Sequence, residues 1–496
     1  MTDSDLYKRT LKSNSLFGGI KIFQIIVMLL RTKIVALLLG PAGMGIQALF
    51  ITTLDSLQQF TTFGVFQSSV RDISQAKSNS LEEKQKVINT VSTVVLLTAL
   101  FGAAICFFFS KQLSVIVFDV DNYNISFKII SLALFFLILS NGYIAIFQGL
   151  RELKPLAKAS LVGAFLSVLL ATPLYFFYGI KSIPIAILAS NLVVFLIYFF
   201  YGRKIDVLQS IRFSSLEDLK TIGIPIINLG FILMLSNGIM TLFTLALNSY
   251  INREGGASEV GFFNAAITST YGNLIIFTSI LSSDYFPRLS QSIFDKIKLQ
   301  KIVNHQIELL ILIISPLICL IILFTDQLIL LLYSREFLSI VPIVQFMASS
   351  LIFKVIWQAM SFIILAYGDK KTYFTFDAII GNGTAFLLNI FAYKLFGLGG
   401  LGISYILGSL VIMIVLNSVM RLKYKIIISN NIWKFLFFFS IAISAVLLLP
   451  LIVKNETTNW LLKIIISIIV SSYCLFILNK RIDFITYLNK GKRKKI

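Results

Sequence analysis

The sequence predicts an all-α polytopic membrane protein of about fourteen transmembrane helices, and three observations predict it. Charged residues make up 13% of the 496-residue chain and hydrophobic ones 57%, about half the charge density of a soluble domain. Mean hydropathy is +0.88. Apolar runs of about eighteen residues or more, each bounded by charges or a turn cluster, recur from end to end. No water pairs a free backbone N–H or C=O inside a bilayer, so each run satisfies its own backbone as a helix.

In chain order the runs lie at roughly 16–39, 44–66, 87–109, 127–149, 160–179, 183–201, 222–248, 259–283, 305–325, 341–366, 373–394, 401–421, 433–453 and 460–478. The first is too long for a cleaved signal, holds Lys21, Arg31 and Lys33, and precedes no small-residue cleavage site. "GPAG" (40–43) closes it, because Gly tolerates positive φ and Pro fixes its own φ in a tight reversal. Polar or glycine-containing stretches close later runs in the same way: "DVDN" at 119, "RELK" at 151, "YGIK" at 178, "YGDKK" at 367 and "FGLGGLG" at 396. With the N-terminus in the cytoplasm, about 31 of the 43 cations fall on the inner side, so both termini are placed inside. The formal charge of +20 is then a topology signature, and no nucleic-acid partner is expected. The terminal "KGKRKKI" (490–496) reads either as a contact with anionic headgroups or as a solvated stop-transfer tail. Cys106, Cys319 and Cys474 lie in apolar runs without paired spacing, which points to neither a disulfide framework nor a metal site.

The chain also reads as a repeat. "LLLGPAGMGIQALF" (37–50) has a looser copy in "REGGASEVGFFNAAI" (253–267), with Gly45 and Gly261 standing 216 residues apart. "ISQ" (73–75) and "LSQ" (289–291) share that offset, and "YGIKSIPI" (178–185) matches "FGLGGLGI" (396–403) at 218. "QGLRELK" (148–154) matches "YGDKK" near 219. The expected organisation is an N-lobe of spans 1–6 (1–201), a charged cytoplasmic linker (202–221) and a C-lobe of spans 7–12 (222–425). Two extra spans and a basic tail (426–496) follow. Each lobe has an even number of helices, so the repeat is parallel, about an axis along the membrane normal.

"RTKIVALLLGPAGMGI" after a charged start, the "G-x-R" after span 4 and the two-lobe count resemble the O-antigen (Wzx-type) flippases. These belong to the multidrug/oligosaccharidyl-lipid/polysaccharide exporter superfamily. The resemblance covers roughly residues 10–425. It implies a MATE-like exporter fold in a bacterial inner membrane and transport of undecaprenyl-pyrophosphate-linked oligosaccharide from the cytoplasmic to the periplasmic leaflet. It also implies coupling to H⁺ or Na⁺, with no other cofactor, and polysaccharide polymerase or glycosyltransferase machinery as partners beside membrane lipids.

Polar residues within the spans give the candidate site. A mid-helix charge costs about 2.5–3.5 kcal/mol on an insertion scale, while each Leu or Ile returns about 0.3–0.6. Arg31 and Lys33 are too deep in span 1 to snorkel and point about 160° apart, so one is expected toward a central cavity and one toward a neighbouring helix. Asp55 in span 2 is the expected partner at comparable depth. Polar stripes at helical spacing add Gln59 beside Gln58, Asn237 on span 7, Asn264 and Tyr271 on span 8, and Lys354, Trp357 and Gln358 on span 10. Asp377 lies near the inner edge of span 11. Tyr271 is the repeat counterpart of Asp55. Such residues serve either as interhelical glue, worth about 0.6–2 kcal/mol each, or as a site. Arg31, Lys33 and Lys354 outnumber the deep carboxylates, so the cavity is expected to be net positive. Under the resemblance these cations hold pyrophosphate or acidic sugars. Gln59, Asn237, Asn264, Tyr271 and Gln358 then bond sugar hydroxyls, and Asp55 and Asp377 are the candidate ion carriers.

Two other functions are weighed. A multidrug exporter of the same superfamily would favour an acidic cavity for cationic drugs. A membrane O-antigen polymerase or glycosyltransferase would need a larger outer domain than loops of about 17 residues provide. "GLGGLG" (397–402) satisfies G-x-G-x-x-G but sits between two spans and reads as a turn. "DVD" (119–121) reads as a solvated turn, and the single His305 offers nothing for a nucleophile–base constellation.

Overall fold

Four glycines decide where long helices break. Gly40 (φ 64°, ψ −169°) interrupts Asp3–Thr61, and Gly256 (φ 82°, ψ 173°) separates Ile224–Gly255 from Ala257–Thr270. Gly179 (φ 57°, ψ −143°) ends Leu153–Tyr178, and Gly397 (φ 59°, ψ −148°) interrupts Asn382–Leu422. Left-handed φ with extended ψ is open at low cost to glycine alone. The first pair stands 216 residues apart and the second 218, the spacings read from the sequence. "GLGGLG" is thus a break between helices.

The computed structural model describes residues 3–76, 81–205, 212–274 and 285–482; the basic tail (490–496) lies outside them, as do the side chains of Lys21 and Asp377. Among the described residues every element is helical, and nine stretches are long and apolar enough to cross a membrane. Three of the nine, Ile26–Thr61, Leu153–Gly202 and Lys370–Leu422, run 36, 50 and 53 residues, and each contains one of the glycine breaks. The chain is therefore an all-α polytopic membrane protein, with nine such stretches where the sequence reading separates about fourteen runs.

Two compact units form, Met1–Gly261 with Leu332–Ser334, and Phe262–Leu331 with Arg335–Ile496. In the first, an aromatic group closes one end: Phe118 stacks on Tyr123 at 4.0 Å, and Phe50 lies 4.9 Å from Phe118 and 5.3 Å from Phe127. Asp119 (φ 63°) caps Ser110–Phe118 and takes the Arg253 guanidinium at 3.1 Å, while Asn252 donates to the Val117 carbonyl at 3.4 Å. "DVD" is accordingly a turn with an ion pair. The described part of the linker is tied to Leu81–Phe108 by Thr90–Ser214 (2.8 Å) and Lys86–Asp218 (3.6 Å).

Within this unit the two copies of the opening turn meet. A Cβ on Gly45 would fall 1.7 Å from the Ala257 carbonyl oxygen, and one on Gly261 would fall 2.0 Å from the Pro41 carbonyl oxygen. Pro41 and Ala257 each follow a left-handed glycine and are themselves 216 residues apart, so the contact is the same read from either side. Gly64 and Gly230 make a second approach: the Gly230 oxygen lies 2.1 Å from where a Gly64 Cβ would be. In a bilayer, lipid tails are as apolar as leucine and water exclusion drives no helix pairing. Small residues that let backbones touch supply the packing energy instead.

In the second unit, Lys296–Leu323 and Val341–Ala366 bury apolar faces built from residues such as Ile307, Ile311, Ile318, Val355, Ala359 and Ile363. The last two helices, Asn430–Ile452 and Glu456–Ile482, pack on Lys296–Leu323 and bury Phe439 and Val470 there. Cys106, Cys319 and Cys474 are free and buried.

Gly45→Val is expected to cost about 1–3 kcal/mol through overpacking against backbone that cannot yield. Gly399→Ala, which meets nothing within 4 Å, is expected to be neutral. Thermal midpoints of the detergent-solubilised proteins check this; equal midpoints would show that the contact does not hold the unit together.

Candidate functional site

Arg31 enters the first unit on Asp3–Thr61, nine residues before the Gly40 break. Its guanidinium faces the hydroxyl of Tyr175, a side chain only 2% exposed. Gln47, buried on the helix after the break, donates its amide to the same hydroxyl at 3.2 Å. Tyr175 thus carries two polar groups on one oxygen, a neutral means of holding a cation in an apolar surrounding. Lys33, two residues on, donates its ammonium to the backbone carbonyl of Tyr333. The roughly 160° between the two side chains sends them to different partners, as the spacing requires.

Asp55 pairs with neither. It is exposed, and among the described residues it enters no ion pair. The expectation of comparable depth fails on helical rise. Arg31 lies nine residues before Gly40 and Asp55 fifteen after it, so at about 1.5 Å per residue their distances from the break differ by roughly 9 Å.

The remaining stripes divide. Gln59 is half-buried and Asn237 exposed; they flank the place where the Phe60 ring packs on Gly238. Thr62, Thr241 and Thr244 donate their hydroxyls to carbonyls three or four residues back on their own helices, at 2.8–3.0 Å. Those protons are spent locally, which leaves only the hydroxyl lone pairs for any other partner. Ser56 reaches the Thr241 carbonyl at 3.2 Å and acts as interhelical glue.

In the second unit, Tyr271, Lys354 and Trp357 come together. The Lys354 ammonium lies 4.2 Å from the Trp357 ring centroid and 5.5 Å from that of Tyr271. The Tyr271 hydroxyl meets Ser350 Oγ at 2.5 Å, and its ring stands edge-on to Tyr405 at 5.0 Å. Trp357 Nε1 is buried without a hydrogen-bond partner. Two aromatic faces stabilise a cation by about 0.5–2 kcal/mol each without neutralising it. Gln358 and Asn264 are half-buried nearby in sequence.

Sequence reasoning missed Tyr175, Gln47, Ser350 and Tyr405. Gln47 carried a signal: it lies eleven residues before Gln58, about 20° off the same helical face. Tyr175, inside "PLYFFY", carried none, because such a run reads as an aromatic membrane belt. Among the described residues no group of three or more His, Cys, Asp or Glu gathers as a metal site.

The model of a family described as polysaccharide biosynthesis protein matches residues 34–342. No curated protein sequence matches the chain significantly. Among solved structures, the lipid II flippase MurJ in an inward closed conformation is similar with a TM-score of 0.70 at 16% identity, covering 94% of this chain and 99% of that one. An inward-facing multidrug resistance MATE family transporter of the MOP superfamily gives 0.68 at 17%, covering 83% and 96%. An outward-facing multidrug resistance MATE family transporter gives 0.58 at 16%, covering 86% and 96%. The fold is that of these exporters, and the resemblance read from the sequence stands.

A double-mutant cycle tests the aromatic cradle. Lys354→Met with Trp357→Leu is expected to show a coupling of about 0.5–2 kcal/mol in unfolding free energy. Additive single effects would mean the ring does not hold the charge.

Proposed function

The chain belongs to the polysaccharide biosynthesis protein family, and on that premise we propose that it is a flippase for lipid-linked oligosaccharide. In this reading it carries an undecaprenyl-pyrophosphate-linked repeat unit from the cytoplasmic to the periplasmic leaflet of a bacterial inner membrane. It works by alternating access, with both termini in the cytoplasm and two six-helix lobes related by the parallel repeat. One observation carries the proposal: the Arg31 guanidinium is held by a phenol and enters no ion pair among the described residues. A spanning cation with a neutral partner keeps its charge available, and a planar fork suits two oxygens of a diphosphate. The aromatic faces around Lys354 support the same reading, since they offer apolar surface to a sugar ring and leave the ammonium charged.

A second reading, export of drugs, has more support among the similar solved structures: of the three above, two are multidrug resistance transporters and one moves a lipid-linked substrate. Asp55 favours it too, as an exposed carboxylate on a spanning helix that can take up a cation or a proton. The family match and the cations weigh toward the flippase; the two readings differ in substrate and share the transport cycle. Asp55 is the candidate H⁺ or Na⁺ carrier in either, with Asp377 as a further candidate.

Arg31→Ala and Lys354→Ala are each expected to abolish surface polysaccharide at unchanged protein level, with carrier-linked glycan accumulating on the inner side. Arg31→Lys is expected to restore little, because a point charge does not replace the fork. Normal polysaccharide in both alanine variants, together with raised drug sensitivity in a deletion strain, would favour the exporter. For coupling, Asp55→Asn is expected to cut flux about tenfold or more and to remove its dependence on ion gradients. Flux in the wild type that survives collapse of both gradients would exclude Asp55 as a carrier.

A further inference from the structure

A groove of about 440 Å³ opens in the second unit beside the segment where Phe374–Gly381 leaves the α-helical path for a π-helical one. Phe376, Ile414, Val415, Val419 and Leu422 line its apolar length, and Thr372, Ser418 and Lys423 its polar end. Ile414 and Leu422 are 51% and 72% exposed, so the apolar wall faces outward, as a surface that meets acyl chains does.

Lys423 is fixed at the polar end. Its ammonium lies 2.5 Å from Asp369 Oδ2 and donates to Thr372 Oγ1. Tyr424 donates its hydroxyl to the same carboxylate oxygen at 2.9 Å, and Asp369 also accepts from the Thr372 backbone N–H at 3.1 Å. Lys423 beside it holds the Asp369 carboxyl well below the usual carboxylate range. An ammonium has three protons; two are used here, and the side chain remains 52% exposed. Lys370, Lys371, Arg421 and Lys425 lie within two residues of Thr372 or Lys423 in the chain, all exposed, so segments 367–378 and 414–425 carry five cations against Asp369 and Asp377. The positive-inside asymmetry assigns this end to the cytoplasm.

We propose that this groove binds an anionic glycerophospholipid of the cytoplasmic leaflet, with an acyl chain along Phe376, Val415 and Val419 and the phosphate on the third proton of Lys423. Apolar length, a cationic end and a pre-fixed donor match the two halves of such a lipid in order. None of the lining residues is assigned to transport, although Asp377 follows Phe376 in the chain, and the site stands whichever substrate the protein moves.

The full-length protein, purified in detergent and titrated with phosphatidylglycerol or phosphatidylcholine of equal chain length, is read by native mass spectrometry. Wild type is expected to retain phosphatidylglycerol preferentially. Lys423→Gln is expected to weaken that retention about fivefold, the effect of one basic residue at an anionic surface, and to leave phosphatidylcholine unchanged. Ser418→Trp fills the groove and is expected to displace both lipids. Asp369→Asn, which frees the ammonium, is expected to keep or raise phosphatidylglycerol binding. Unchanged binding in Lys423→Gln would overturn the proposal. So would an equal loss in Asp369→Asn, which would assign the effect to the loop's integrity. Preferential retention of undecaprenyl phosphate over phosphatidylglycerol at equal concentration would name a different occupant and overturn it as well. If Ser418→Trp does not fold, the comparison of Lys423→Gln with Asp369→Asn decides alone.

Discussion

The contact between Gly45 and Gly261 is the constraint on which the first unit depends. Each glycine lies where the other turn's carbonyl needs room: the Ala257 oxygen occupies the place of a Gly45 side chain, and the Pro41 oxygen that of a Gly261 side chain. No other residue type lets both backbones pass. A chain that writes one turn twice, 216 residues apart, does so here because the two copies pack on one another. Each turn offers a glycine where the other's carbonyl comes closest, so the contact reads the same from either side.

Charge inside the spans obeys a second constraint. A cation there requires a partner, and the obvious partner is a carboxylate. The structure gives Arg31 a shared phenol hydroxyl, sets the Lys33 ammonium on a backbone carbonyl and lays Lys354 against two aromatic faces. Each lowers the cost of the charge and leaves it in place. Asp55, the acid that neutralisation would have used, is exposed and enters no ion pair among the described residues. Arg31, which enters no ion pair among the described residues, remains able to attract an anion, which a salt-bridged cation does far less well.

The groove at Lys423 shows the opposite case at the membrane boundary. There a carboxylate does pair with the lysine, and Thr372 and Tyr424 complete the network. The pairing fixes the ammonium in position and consumes only part of its hydrogen-bonding capacity.

Much of the fold was legible in the residues alone. Length and apolarity of the runs determine an all-α membrane chain, since a backbone in lipid has no other way to pair itself. The glycines at 40, 179, 256 and 397 could be read as breaks, because left-handed φ admits few other residues. The candidate site was legible in part: Tyr271, Lys354 and Trp357 come together from their stripes, but the partners of Arg31 and Lys33 do not follow from any local pattern. Tyr175 lies 128 residues from Gln47, and Tyr333 lies 300 from Lys33. Periodicity tells which way a side chain points from its own helix; only the packed structure tells what it meets. Sequence by itself thus determined the class of fold, the turns and the presence of costly charges. Tertiary structure decided how those charges are held, because burial cost is a property of a residue whereas a hydrogen bond is a property of two.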